Sequence, residues 1–249
     1  MENEILYGIN PVYEALVAAR RQCFAVYIER KNVPQRLAEI LAMAETRNIP
    51  ITKTSSSQIN ALAGGGVHQG IAARVSRYPL VEIHTMLTRV RPGHRLLLLD
   101  SIQDPHNLGA MIRTAICVGV DGVVIPKDRS VSPTAAVSKA SAGALEHIHL
   151  ARVTNMARTV KMLKDHGLWI IGLDQAAPQS IYATDLTGSI GMVIGGEQKG
   201  IRPWIKRNCD MLISIPQEGP INSLNAAVAG AIVMYESFRQ RQHCASIES

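Results

Sequence analysis

Three polar clusters in the C-terminal two-thirds of the chain combine residue types suited to binding and orienting a ligand. The first, Asp100-Ser101-Ile102-Gln103-Asp104-Pro105-His106-Asn107-Leu108-Gly109, runs into a helical pattern that carries Arg113. The second is Ile194-Gly195-Gly196-Glu197-Gln198-Lys199-Gly200. The third leads from Ile213-Ser214-Ile215-Pro216 through a polar loop to Asn222-Ser223-Leu224-Asn225-Ala226-Ala227, where Ser or Asn caps a final helix and leaves amide donors for a ligand. Arg113 stands in Gly-Ala-Met-Ile-Arg-Thr-Ala-Ile, where a single charge in an apolar helix needs a partner; the plainer reading makes it a surface arginine. Asn107 and Ser223 have their own plainer reading, as helix caps. His106, His147 and His149 offer imidazoles as bases, but only nearness in sequence links them to the clusters, so structural roles are expected. The run Pro126-Lys127-Asp128-Arg129-Ser130 reads equally as a phosphate contact and as a solvated loop.

These clusters follow short apolar runs, and that sets the frame. Strands are expected at Leu96–Asp100, Gly122–Pro126, Ile148–Leu150, Trp169–Asp174, Gly191–Glu197 and Leu212–Pro216. Helices are expected near Leu108–Val118, Pro133–Glu146, Met156–Lys164 and Leu224–Arg241. Runs such as Leu96-Leu97-Leu98-Leu99 do not alternate, so both strand faces are buried, as in a parallel sheet covered by helices. In such a sheet ligands bind outside the carboxyl ends of the strands, where all three clusters fall.

Upstream, the pattern gives a smaller α/β unit over residues 1–76. It comprises a helix near Pro11–Ala19, a strand Phe24–Glu29, a helix near Pro34–Arg47, a strand Ile49–Thr52, a short helix Gln58–Leu62 and a closing strand Gly70–Val75. Gly64-Gly65-Gly66 lacks the phosphate-loop spacing and reads as a mobile loop. Residues 77–95 mix Pro79, Pro92, Gly93 and basic residues around one helical pattern, Val81–Val90, and are expected to link this unit to a domain over 96–249.

Composition narrows the function classes. The net charge of +6 reads equally as attraction to polyanions, with binding that weakens as salt rises, and as a plain aid to solubility. Charged residues make up 18%, below the ~25% of an average domain, so a second subunit is expected to cover apolar surface. Cys23, Cys117, Cys209 and Cys244 lie far apart with no C-x-x-C pair, which argues against a zinc site or a disulfide framework; no metal is expected. No apolar run approaches ~18 residues and the start, Met1-Glu2-Asn3-Glu4, is acidic, so a cytoplasmic protein without membrane association is expected. G-x-G-x-x-G follows none of the strands, which disfavours a dehydrogenase.

Asn107 with Arg113 six positions on, the Gly-Gly-Glu turn at 195–197, and Ile-Pro…Ser-Leu-Asn at 215–225 resemble, in order, the three motifs of the SpoU/TrmH family of the SPOUT superfamily. The N-terminal stretch, with Tyr7-Gly8-Ile9-Asn10-Pro11 and His68-Gln69-Gly70, is similar to that family's substrate-binding domain, so the likeness covers nearly the whole chain. The resemblance implies an L30e-like α/β substrate-binding domain, then a SPOUT domain whose last strands and helix form a trefoil knot, a rare exception to unknotted connectivity. It implies S-adenosylmethionine held through backbone groups at Gly195, Ile215 and Leu224, with Leu173 and Gly196 as neighbours. Ala226-Ala227 and Gln198-Lys199 depart from the family pattern, which bears on fine cofactor contacts. A homodimer is implied through the methyltransferase domain.

The implied reaction transfers a methyl group to a ribose 2′-hydroxyl of structured RNA, and the nearest subgroup acts on a guanosine of 23S ribosomal RNA. Arg113 becomes the activating group; as guanidinium stays protonated at neutral pH, it acts through an RNA phosphate or by stabilising the developing alkoxide. Asn107, Glu197, Ser223 and Asn225 would orient it and the ribose, with a buried Glu197 pairing with the arginine. Aromatics make up only 4%, so RNA recognition is expected to rely on phosphates, ribose hydroxyls and shape, with Tyr7 and Tyr27 as stacking exceptions. The alternatives are a tRNA methyltransferase of the same family, a non-catalytic RNA-binding or ribosome-assembly protein, and a nucleotide-dependent metabolic enzyme.

Overall fold

A computed structural model of the chain describes residues 3–29, 35–88, 91–197, 199–220 and 223–247. Pro34, Val90, Gln198 and Asn222, which belong to the expected elements and motifs, lie outside these residues. In chain order the structure begins with β1 (Asn3–Tyr7), α1 (Ile9–Ala18), β2 (Cys23–Glu29), α2 (Gln35–Thr46), β3 (Ile51–Thr54), α3 (Ser56–Leu62) and β4 (Ile71–Ser76). There follow α4 (Ile83–Leu87), β5 (Arg95–Asp100), α5 (Pro105–Cys117), β6 (Gly122–Pro126) and α6 (Ala135–Ala140). The rest is β7 (Leu150–Val153), α7 (Met156–Asp165), β8 (Trp169–Leu173), β9 (Gln179–Ser180), β10 (Ile190–Gly195), α8 (Pro203–Lys206), β11 (Met211–Ser214) and α9 (Ala226–Ile247).

The chain forms two compact units: Met1–Pro79 with Ser132–His147, and Leu80–Val131 with Ile148–Ser249. The first holds a four-stranded sheet ordered β1-β4-β2-β3, with β4 antiparallel to β1 and β2, and β3 parallel to β2. Its core gathers Leu6, Val12, Leu16, Val26, Ile28, Ile40 and Ile71. Strand β1 was not expected; it is short, and its Asn-Glu start hides the alternation that its pairing with β4 exposes.

The stretch 133–146, expected as one helix, is instead α6 and a 3-10 turn at Ala144–Glu146, separated by Ala142 and Gly143 with positive φ. Buried charges tie it into the first unit. Arg21, whose side chain is 1% exposed, reaches Glu146 at 2.8 Å and Glu4 at 2.5 Å, Ser138 donates to Glu146, and Glu4 accepts from the Ala135 amide. His147, read as structural, pairs with Glu14 at 2.8 Å.

The second unit is built on a seven-stranded sheet ordered β7-β6-β5-β10-β8-β11-β9, every pairing parallel. Leu96 to Leu99 are fully buried, as their unbroken apolar run requires. The start of β7 falls at Leu150, two residues later than expected, and β9 is too short to show any periodicity. The stretch 77–95, expected as a linker, is partly packed: Val81 bridges to Ala151, and Met86 and Leu87 are buried in the core of this unit. Helices α5 and α9 pack together. Among the described residues, no helix is long and apolar enough to cross a membrane.

Candidate active site

The carboxyl ends of β8, β10 and β11 open on a cavity of about 470 Å3. It is lined by Leu173, Gly195, Gly196, Ile215 and Leu224, the five residues implied as cofactor contacts, and by Glu197 and Ser223. Asp174, Gln175, Ile194, Lys199, Gly200, Ile201, Lys206, Gln217, Ala226 and Ala229 complete the wall. The volume suits a ligand of nucleoside size, and the mixture of aliphatic wall with a few polar groups is that of a small-molecule site.

The glycines serve the protein's own chain. A Cβ on Gly195 would run into the backbone of Gly200 and Ile201, and one on Gly196 would lie 2.5 Å from the Ser101 carbonyl oxygen. The Gly200 amide also donates to the Gly196 carbonyl, closing a tight turn. Glycine is therefore needed at 195 and 196 because three backbone segments meet there, a narrower reason than close approach to a cofactor.

A second device fixes the same turn. Asp100, wholly buried at the end of β5, accepts from the Arg202 amide at 2.9 Å and from its Nε at 2.8 Å. Lys206 of α8 pairs with Asp174 just beyond β8. Burial tends to raise the Asp174 carboxyl, but the hydrogen bonds from Lys206 and the Ala176 amide outweigh it and hold it below its ordinary value. Neither pair is legible from local pattern, because the partners lie far apart in sequence; the only clue was Asp100 closing an apolar run.

At the mouth of the cavity the expected polar residues meet. Asn107 donates through Nδ2 to Glu197 Oε1, and Asn225 donates through Nδ2 to Asn107 Oδ1 at 3.1 Å. Asn225 Oδ1 accepts from the Ala227 and Val228 amides at 2.9 and 3.2 Å, so it caps α9 and anchors the chain of hydrogen bonds at once. Asn107 is not a cap: Asp104 fills that place on α5, accepting from the His106 amide. Ser223 lines the cavity and α9 is capped without it.

Arg113 departs from expectation. It is exposed on α5, does not line the cavity, and makes no ion pair among the described residues. Glu197, expected to be buried with the arginine, is exposed and engaged by Asn107. The helix is apolar only on the face that packs inward, where Met111 and Ile112 lie, so the charge needed no partner.

Residues 94–235 match the SpoU rRNA Methylase family, and residues 5–81 match the RNA 2'-O ribose methyltransferase substrate binding family. A putative TrmH family tRNA/rRNA methyltransferase of Staphylococcus saprophyticus is 39% identical over 98% of both chains. The 23S rRNA (guanosine-2'-O-)-methyltransferase RlmB of Xylella fastidiosa is 38% identical over 96% of this chain and 98% of its own. In fold, the chain is similar to the SpoU methyltransferase AviRb from Streptomyces viridochromogenes, solved with AdoMet, with a TM-score of 0.80, 23% identity, and 97% and 91% of the two chains covered.

Proposed function

Because this chain belongs to the SpoU rRNA Methylase family, we propose that it methylates a ribose 2′-hydroxyl of structured RNA, at a guanosine of 23S ribosomal RNA. The observation that carries the reading is the hydrogen-bonded series Glu197, Asn107, Asn225 at the mouth of a cavity whose walls hold Leu173, Gly195, Gly196, Ile215 and Leu224.

The cavity residues fit S-adenosylmethionine. The aliphatic side chains of Leu173, Ile194, Ile215 and Leu224 would flank its adenine and sugar, and the peptide groups of 195–196 and 215–217 would take its polar edges. When bound, it supplies an electrophilic methyl on sulfur. The residues of this chain then have two tasks, to hold the ribose hydroxyl in line and to ease loss of its proton. Asn107 and Asn225 hold the mouth rigid, and Glu197 keeps acceptor capacity on its second oxygen for a ribose hydroxyl. Arg113, exposed and without an ion pair among the described residues, has its guanidinium available for an RNA phosphate or the developing alkoxide, and a group that stays protonated at neutral pH acts more readily as a stabiliser than as a base.

In this reading the unit of Met1–Pro79 with Ser132–His147 captures RNA, and the unit of Leu80–Val131 with Ile148–Ser249 is the methyltransferase domain. The strand order β5-β10-β8-β11 supports a C-terminal trefoil knot, since the chain must return after β8 to lay β10 between earlier strands. Exposed Val228 and Tyr235 on α9 support a homodimer in which a second copy covers them. Four free thiols support a cytoplasmic location.

The test is ribose-methylation mapping of ribosomal RNA from cells lacking the protein, with methyl transfer by the purified protein. One guanosine should lose its methyl group in the cells and regain it in vitro. A complete map together with cofactor binding but no transfer would favour the non-catalytic alternative; a tRNA substrate would move the assignment within the family.

A further inference from the structure

Trp204 is 66% exposed, although indoles are ordinarily among the most buried side-chain surfaces in a domain. Its seat is firm. Ile201 and Ile205 on either side are buried to 1% and 2% exposure, and Asn208 donates to the Trp204 carbonyl at 2.7 Å. Among the described residues its indole N–H makes no hydrogen bond, and the Arg207 guanidinium stands 5.9 Å from the ring centroid. The indole is thus displayed on a four-residue helix anchored by buried isoleucines, with a cation beside it.

The surroundings are basic and border the cavity. Residues 199–207 contain Lys199, Arg202, Lys206 and Arg207 and no acid. Arg202 and Lys206 are committed to Asp100 and Asp174, whereas Lys199 and Arg207 are exposed and make no ion pair among the described residues. Lys199, Gly200, Ile201 and Lys206 line the cavity, so the platform stands at its rim.

We propose that Trp204 is a stacking platform for an unpaired RNA base flanking the methylated nucleotide, with Lys199 and Arg207 holding adjacent phosphates. An aromatic face beside cations is the arrangement that holds single-stranded nucleic acid, and stacking accepts any base because each has a π-face. The platform therefore selects for an unpaired flank and is indifferent to its sequence. The inference rests on the RNA-methylation reading, and it adds a site to the two stacking exceptions expected in the N-terminal unit.

The chain has two tryptophans, and Trp169 lies at the amino end of β8, away from the strand ends that form the cavity. The Trp169→Phe protein therefore reports on Trp204 alone. Its fluorescence, titrated with an unpaired oligoribonucleotide and with a duplex of equal length, should be quenched saturably by the first and little by the second. In methyl-transfer assays Trp204→Ala should raise KM for RNA about tenfold, a loss of ~1.4 kcal/mol, with kcat within about twofold; Trp204→Tyr should restore most of it, and S-adenosylmethionine binding should not change. No quenching by unpaired RNA, or an unchanged KM in an active Trp204→Ala enzyme, overturns the platform. So does a concentration-dependent blue shift without RNA, which would place Trp204 between two copies of the chain. A protein that transfers no methyl group to any RNA refutes the enzymatic reading instead, and the titration still decides the platform.

Discussion

Asp100 and Arg202, 102 positions apart, form a fork in which one buried carboxylate takes both the backbone amide and the guanidinium of the same residue. The end of β5 is thereby locked to the turn that shapes the cavity. The two partners are unequal, because the Asp100 side chain is fully buried whereas that of Arg202 is 38% exposed. Arg202→Ala removes the countercharge of a buried carboxylate, which keeps only the backbone amide and Ser101 Oγ as donors, and should lower stability by about 3 kcal/mol, whereas Asp100→Asn leaves a guanidinium that reaches water and should cost roughly half as much. Urea unfolding of the two variants measures the asymmetry; equal losses would contradict it.

Arg113→Ala should abolish methyl transfer without loss of stability, since the side chain is exposed. Arg113→Lys should fail to rescue it, because an ammonium cannot reproduce the planar fork. Single-turnover rates alongside thermal melts make the check. Activity near that of the parent in either variant would remove Arg113 from the mechanism.

Glu197→Ala should lower kcat by about 10²-fold with cofactor binding retained. Asn225→Ala should do the same and also lose about 1 kcal/mol, because Asn225 caps α9 in addition to holding Asn107. Comparing melts of the two variants separates the cap from the hydrogen bond; an Asn225→Ala protein as stable as Glu197→Ala would count against the dual role.

A methyl group added at Gly195 or Gly196 has nowhere to go but into backbone, so either alanine variant should lose S-adenosylmethionine binding. Gly230→Ala is the control: its Cβ would rest 3.7 Å from Met111 in ordinary contact and should be tolerated or mildly stabilising in α9. Calorimetric titration of the three proteins tests the claim, and tight binding by Gly195→Ala would refute it.

His94 is 3% exposed, and neither ring nitrogen makes a hydrogen bond among the described residues. Burial holds its imidazole below the ordinary 6.5, with Asp121 opposing only in part. The folded protein therefore keeps His94 neutral where the unfolded chain binds a proton. Stability from this group is complete above 6.5 and declines as pH falls from there toward the depressed folded value. Melting temperatures from about pH 7.5 to 5.5 should fall more steeply for the parent than for His94→Asn. Parallel curves would show that His94 does not titrate differently on folding.

Much of this protein is local in origin and could be read from the chain. Leu96-Leu97-Leu98-Leu99 has no polar face, so it had to be a strand buried on both sides, and the polar clusters after such strands had to lie at one edge of the sheet. Asn225 as a cap follows from its place before an apolar helix. The expected partner of Arg113 is not found because composition shows that a helix is apolar, whereas only packing shows which stripe faces inward.

What the tertiary structure alone decided are pairings between distant segments. These include the fork of Asp100 and Arg202, the Asp174–Lys206 pair, the Asn107–Glu197–Asn225 series, and the buried pair of Glu146 with Arg21. Periodicity and capping reach only a few residues along the chain, whereas a buried charge takes its partner from whatever segment the fold brings within hydrogen-bond distance.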